Sequence, residues 1–407
     1  MANLDFNLLL QATSAGGPSA LSATTPLAPA AGPQAAIAPA KYASPRGDLG
    51  TYVYEVRFVD GEAVHTVLID SAQSSRNRME IALVQAIDDG NAVLGRLPRI
   101  RVTYERDGLV ESYTDLELPH RAFDAHVRAG TVDGKPVTQH AAYRAARDSS
   151  PANAWDLLNL SPCSLALGSW DASRKARQGR WPSVVTGEII GVLTDQGGAT
   201  ERSTPKKGGA RVDPIGMSAQ LDGATLEALA VQQEDELSAA TFKKVVDGAR
   251  KLKAGEKASA SALGFGGIPP TLSQLGAVSC RAVTRTQVVS FASLRQIRFG
   301  KGPEGDAALR AVLAALALNG LTRSNAELYI RANCHLVEAG PTRMVIDQRG
   351  GSFEELEPSS IEQADALLDA AISHAAHVAG LDWHGQCFDV AGNPAVLAGA
   401  ADETPED

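Results

Sequence analysis

A chain of 407 residues with 44% hydrophobic residues can bury a substantial core, as one elaborated domain or as two or three. Its net charge of −9 argues against nucleic acid only until it is divided: residues 352–407 hold twelve Asp or Glu and no Lys or Arg, and removing that −12 leaves +3 for residues 1–351. Cys163, Cys280, Cys334 and Cys387 lack paired spacing, which excludes a disulfide framework and fits a reducing, cytoplasmic compartment.

In chain order, Met1 to Leu10 carry Asp5 and no cation, so they fail as a secretory signal. Residues 11–48 are rich in Ala, Pro, Gly, Ser and Thr and read as loop with at most one short strand. Tyr52 to Phe58 alternate at period two and join residues 62–69 through Asp60-Gly61, a hairpin signature. Thr66 to Ile69 form a short buried strand, and Met79, Leu83 and Ile87 give a helix over 73–89 one face to bury. A second hairpin pairs 99–105 with 109–115 across Asp107-Gly108, and a short helical piece follows from Pro119 to Val127.

Residues 129–215 carry many loop formers and little periodicity, apart from an apolar stretch near 184–193. A helical segment covers 223–253, and a strand from 281 runs into a basic turn ending at 299. Ala307 to Leu318 make a buried helix whose apolar run, Ala311 to Leu318, is too short to cross a bilayer. Segments 327–338 and 342–347 read as paired strands, and Ile361 to Ala379 as an amphipathic helix before an acidic tail. Strands interleaved with helices, and hairpins in place of strict βαβ repeats, predict an α+β ferredoxin-like core with insertions.

The junction at 69–80 carries the most chemistry. The first amides of a helix lack internal partners, and its N-terminus favours negative charge. Arg76 and Arg78 add full charges there, while Gln73, Ser74, Ser75 and Asn77 add neutral donors, a set that suits a phosphate chain. The alternative is a helix capped by Asp70 or Ser71 with solvated arginines. Other cations cluster as Arg174, Lys175, Arg177 and Arg180, then Lys206, Lys207 and Arg211, then Lys243, Lys244, Arg250, Lys251, Lys253 and Lys257. Such groups fit an RNA-facing surface, or loops that are merely solvated. Gly264, Gly266 and Gly267 offer amides unobstructed by Cβ, either in an ordinary turn or in the wall of a groove with Arg295 and Arg298.

Enzyme signatures are missing from the sequence. Neither a Gly-x-x-x-x-Gly-Lys-Ser/Thr loop nor a Gly-x-Ser-x-Gly elbow occurs. His374, His377, His384 and Cys387 admit two readings, packing histidines or the zinc site of a metal-dependent RNA-processing enzyme. The balance of features predicts a protein without catalytic residues, metal or cofactor. It holds a single strand by its backbone and leaves the bases free.

Six segments in register then carry a resemblance. They are Leu68-Ile-Asp-Ser-Ala-Gln-Ser-Ser-Arg-Asn-Arg-Met-Glu80, Pro119-His-Arg121, Ser161-Pro-Cys-Ser-Leu-Ala-Leu-Gly-Ser-Trp-Asp171, Arg211-Val-Asp-Pro-Ile-Gly216, Gly264-Phe-Gly-Gly-Ile-Pro-Pro270 and Leu294-Arg-Gln-Ile-Arg-Phe299. Over about residues 18–300 the chain resembles the RAMP-superfamily backbone subunit of type I-G (formerly I-U) CRISPR effector complexes. The resemblance implies an N-terminal segment over 1–17, a modified RNA-recognition palm over 18–350, and an acidic helix and tail over 351–407. Within the palm it implies a finger-like insertion over about 129–265 and a thumb drawn from 25–50 or the 52–69 hairpin.

The same resemblance implies a non-catalytic subunit that polymerises head to tail along crRNA in a Cascade-like complex. Such a subunit presents the guide to target DNA beside a large subunit and an RNA-processing subunit, and the complex recruits a helicase-nuclease; no membrane is involved. By position it assigns guide contact first to Gln73–Arg78, next to the Gly-rich loop at 264–267 and to Arg295 and Arg298. Arg121, Lys206, Lys207 and Arg211 complete the expected set. Two departures stand out: Gly267 replaces an expected Asn, and Ser173 to Arg180 are basic where relatives are Gly-rich. The basic segment is expected to touch phosphate directly.

Overall fold

The computed structural model describes residues 2–43, 51–106, 108–172, 174–175, 179–194, 207–209, 219–266, 271–273, 276–330, 332 and 334–396. The chain separates into two compact units, residues 1–202 with 278–394, and residues 203–277 with 395–407.

The main sheet of the larger unit contains β1 (Ala20–Pro29), β2 (Tyr54–Val59), β3 (Glu62–Asp70), β4 (Val185–Leu193), β5 (Cys280–Ser290), β6 (Arg343–Asp347) and β7 (Phe353–Glu357). Their spatial order is β7-β6-β1-β5-β4-β3-β2, and each neighbouring pair is antiparallel. Four helices belong to the same unit: α1 (Phe6–Thr13), α2 (Ala72–Asp88), α3 (Gly302–Ala326) and α4 (Ile361–Ala379). Along the chain the series β1-α2-β4-β5-α3-β6 is βαββαβ, and across the sheet it runs β6-β1-β5-β4. That is the arrangement of a ferredoxin-like core, as the α+β expectation requires. The β2–β3 hairpin is inserted ahead of α2 and extends the sheet beyond β4. Its turn takes positive φ at both Asp60 and Gly61, which matches the twist of the flanking strands.

Helix α3 is the centre of the helical layer and is buried on almost every side, from Gly305 to Leu321. Such a helix carries no polar stripe, which is why its sequence is nearly all Ala and Leu at this point. Helix α2 lies against it, with Met79 and Leu83 over Gly320; a Cβ at Gly320 would stand 3.3 Å from Leu83 Cδ1. The first turn of α2 rests on β4, where a Cβ at Gly187 would stand 2.8 Å from Ser75 Oγ. These two close approaches set the height and angle of the helix mouth. Helix α4 starts in a capping box of Ser360 and Gln363. Its Asp365 accepts from Arg323 Nη2 at 2.8 Å, Asn319 Nδ2 at 2.6 Å and Asn91 Nδ2 at 2.8 Å, which ties α4 to α3 and to the end of α2.

Several sequence expectations need correction. The described part of residues 11–48 is mostly loop with one strand, as expected, but that strand is not short: β1 is ten residues long and sits between β6 and β5. Its buried face is Leu21, Ala23, Thr25 and Leu27, and such small side chains give little contrast with the outward Ser22 and Thr24. Segments 327–338 and 342–347 do not pair with each other. Leu336–Glu338 and β6 both pair with β1, at opposite ends. Short helices at Ala141–Arg147, Trp155–Leu158 and Pro162–Ala166 occupy a stretch read as loop. The basic turn after β5 begins as a helical turn, Phe291–Leu294.

A smaller sheet in this unit places Arg99–Arg106 between Leu109–Thr114 and the parallel strand Cys387–Ala391. In the second unit the helix expected over 223–253 divides into Gly223–Gln232 and Ala239–Arg250, parting at the polar stretch the sequence carries at 233–238. Leu226, Ala230, Val245, Val246 and Ala249 close over Ala260 and Leu263 as that unit's own core.

Candidate nucleic-acid interface

Of the two capping alternatives, Ser71 is the cap of α2: its Oγ accepts from Ser74 N at 3.3 Å. Asp70 instead takes Arg78, whose Nη1 donates to Asp70 Oδ2 at 2.6 Å, and both side chains are buried. Ser75 is buried against β4. This leaves Gln73, Arg76 and Asn77 on the outer side of the first two turns, and no acid lies in the first turn to compete with an anionic ligand.

Those three residues open into a groove of about 560 Å³ whose far wall is Leu116 to Pro119. Glu80 and Arg121 form its floor, with Arg121 Nε 2.5 Å from Glu80 Oε1. Arg121 Nη1 also donates to the Gly168 carbonyl at 2.5 Å. The Arg121 backbone has φ +50°, a conformation that non-glycine residues rarely adopt and that these two contacts hold in place. Arg121 therefore binds three parts of the chain together: α2, the 121–123 turn and the segment from Ser161 to Asp171.

The charges of the groove are shaped by burial. Desolvation pushes the Glu80 carboxyl up to about 7, against the pull of the adjacent Arg121 guanidinium. Behind it, burial raises Asp115 to about 6, although Ser161 Oγ and Ile100 N both donate to that carboxylate. Burial, and then the charge of Arg121, lower the pKa of Arg76. A guanidinium starts so far above neutrality that it keeps its charge. The groove thus offers one guanidinium without an ion pair among the described residues and the carboxamides of Gln73, Asn77 and Gln85, beside the Glu117 carboxylate, donors suited to phosphate and ribose oxygens.

The neighbouring wall is a fixed polar network. Ser161 Oγ lies 2.8 Å from Ser164 Oγ, Ser169 Oγ donates to the Ser164 carbonyl at 3.0 Å, and Arg147 forms a two-point ion pair with Asp171 at 2.6 and 3.0 Å. Cys163 lies within it, fully buried, and burial pushes its thiol well above the ordinary value, the opposite of nucleophile activation.

The remaining expected contacts divide clearly. Arg174 pairs with Asp148 and donates to the Arg147 carbonyl, while Lys175 is exposed. Arg180 lies over the Trp170 ring, 4.5 Å from its centroid. Arg295 Nη1 donates to the carbonyls of Ala12 and Pro18 at 2.6 and 2.8 Å, pinning the turn between α1 and β1, and Arg298 is exposed. Gly264, with φ +83°, and Gly266 belong to the second unit. Lys207 begins the short strand Lys207–Gly209 of that unit. Arg177, Lys206, Arg211 and Gly267 lie outside the described residues, as does the side chain of Lys207. The structure therefore gathers Gln73, Arg76, Asn77 and Arg121, and commits Arg78, Arg174 and Arg295 to contacts within the fold. Sequence reading missed Glu80; its i,i+4 spacing from Arg76 was the available signal.

Among the described residues no three His, Cys, Asp or Glu side chains gather in a metal-holding group. His374 packs on Phe6, with ring centroids 5.1 Å apart, while Cys387 lies on a strand of the smaller sheet. No described helix is long and apolar enough to cross a membrane.

No curated protein matches the chain. Residues 21–196 match the family described as CRISPR-associated protein GSU0053, a span that includes α2, the groove wall and the Ser161–Asp171 segment. Over that stretch, which is less than half of the chain, the match indicates a CRISPR-associated protein.

Proposed function

We propose that this chain is a crRNA-binding backbone subunit of a type I-G CRISPR surveillance complex. It polymerises along the guide and presents it for pairing with target DNA, and it makes or breaks no covalent bond. The observation that carries the reading is a coincidence of place: the unpaired donors of the α2 groove lie inside the span that matches a CRISPR-associated family. A ferredoxin-like sheet with a hairpin insertion is a suitable frame for such a palm. Neutral donors and a lone guanidinium fit a strand held by its backbone, because phosphate contacts position a chain without reading its sequence.

Several copies on one RNA require a heterologous, head-to-tail contact. The partners that follow are crRNA, further copies of this chain, a large subunit, an RNA-processing subunit and a recruited helicase-nuclease. The test is co-expression with a CRISPR array, followed by sequencing of the RNA that copurifies. Array-derived guides at a fixed number of copies per RNA are expected. Protein that emerges free of RNA, or carrying bulk cellular RNA without enrichment of guides, would refute the reading.

A further inference from the structure

We infer that Trp170, backed by Arg180, is a stacking platform for one nucleobase of the bound RNA strand. This rests on the RNA-binding reading above and deepens it by naming a contact to a base as well as to the backbone.

Trp170 is an exposed aromatic side chain, as are Phe58, Phe265, Tyr329 and Phe353, but it alone of these adjoins the groove. Trp170 is 43% exposed, whereas Trp181 and Trp383 are 5% and 4% exposed and Trp155 is half-buried with Lys301 over its ring. The exposure is built in. On one side Ser169 is buried, with its hydroxyl on the Ser164 carbonyl. On the other, Asp171 is buried in its two-point pair with Arg147, and its N–H donates to the Gly179 carbonyl at 3.0 Å. Two inward anchors around one outward indole fix the backbone that presents the ring at the surface.

The ring is also prepared electronically. In the two-stranded pairing of Ser169–Trp170 with Arg180–Trp181, Trp170 and Arg180 are direct partners, and the guanidinium stands 4.5 Å from the ring centroid. No acid pairs with Arg180 among the described residues, so its charge remains available to a phosphate while the guanidinium stands over one face of the indole. A base on the ring would complete a stack of guanidinium, indole and nucleobase.

Position links this platform to the groove. Gly168 accepts from Arg121 in the groove floor, and Trp170 is two residues further along, about 7 Å of extended chain. Exposed Lys175 lies in the loop between the paired segments. One strand can therefore engage both places. An exposed Trp and Arg pair also occurs where proteins dock on proteins. The RNA alternative is favoured because the platform adjoins the groove donors and a basic loop.

The test uses the full chain and two short strands, an oligouridylate and the same length of abasic ribose-phosphate. Trp170→Ala is expected to weaken the oligouridylate roughly five- to hundredfold, the range for loss of one aromatic–base stack. Trp170→Phe should lose less, and neither variant should change binding of the abasic strand. Indole fluorescence should be quenched by the oligouridylate in the wild type, and that quenching should be absent from Trp170→Ala. Equal loss on both strands, or no loss on either, would overturn the platform. So would a variant that binds RNA normally but fails to assemble with other copies. Arg76→Ala, measured beside it, separates the two claims: if it loses RNA while Trp170→Ala does not, the groove stands and the platform falls.

Discussion

Two grooves flank α2, and they carry similar residues to different ends. The outer one, of about 560 Å³, is lined by Gln73, Arg76, Asn77 and Arg121. The other, of about 400 Å³, is lined by Arg78, Gln85, Asp89, Arg323 and Tyr329. Each has two arginines. In the second groove both are answered from within the fold, Arg78 by Asp70 and Arg323 by Asp365. In the outer groove Arg121 is answered by Glu80, but Arg76 makes no ion pair among the described residues. Cationic lining is therefore a poor guide to a phosphate site. The useful quantity is the donor capacity that the fold leaves unpaired.

The largest expected effect comes from breaking the internal pair. Arg78→Ala leaves Asp70, whose side chain is 1% exposed, as an uncompensated buried charge. Removing one partner of such a pair costs about 3–5 kcal/mol. Denaturant unfolding should show that loss. Asp70→Asn with Arg78→Leu should recover much of it, because replacing both partners removes the stranded charge. The folded fraction of Arg78→Ala should still bind single-stranded RNA as the wild type does. A stable Arg78→Ala protein with impaired RNA binding would reverse the assignment of the two grooves.

A smaller effect separates the grooves by pH. Glu80 has a folded pKa of about 7 against an unfolded value near 4.3. Its pKa is raised by folding, so between those values the folded state holds the extra proton, and stability falls as pH rises through the window. Asp115, raised to about 6, contributes with the same sign over a narrower range. Ionised above pH 7, Glu80 offsets one cationic charge on the floor of the outer groove. RNA affinity should therefore rise when the pH is lowered from 8 to 6, and Glu80→Gln should flatten the profile. An unchanged slope in Glu80→Gln would show that Glu80 does not set the groove's charge.

The same contrast marks what was legible in the sequence. The β2–β3 hairpin and helices α2 and α4 follow from local signals: Asp60-Gly61, the Met79/Leu83 spacing and the Ser360–Gln363 box. Strand β1 was hidden because its partners are distant, β5 at 283–290 and β6 at 343–346, and its inward residues are small. At the site, the donor-rich mouth of α2 was readable, but Arg76 and Arg78 were grouped as one phosphate-binding set and their division was missed. Residues two apart on a helix do not share a face, so Arg76 and Arg78 had to point to different surroundings. Which side was open depended on Asp70, Glu80 and Gly168, brought together only by the tertiary fold. Arg295 shows the limit most plainly, since its acceptors are the backbone carbonyls of Ala12 and Pro18, 283 and 277 residues away along the chain.

The smallest expected effect is also the sharpest on the comparison. Arg76→Ala removes a half-buried guanidinium with no ion-pair partner among the described residues, so its stability should stay within about 0.5 kcal/mol of the wild type. Its RNA affinity should fall, and the slope of log affinity against log salt should flatten by about 0.7, the contribution of one phosphate on a single strand. Lys175→Ala should flatten the slope in the same way if the basic loop follows the strand past Trp170, whereas Arg174→Ala should leave the slope unchanged because Asp148 already answers that charge. Equal slopes for Arg76→Ala and the wild type would mean that the one unpaired guanidinium of the groove meets no phosphate, and the distinction between the two sides of α2 would then have no bearing on RNA.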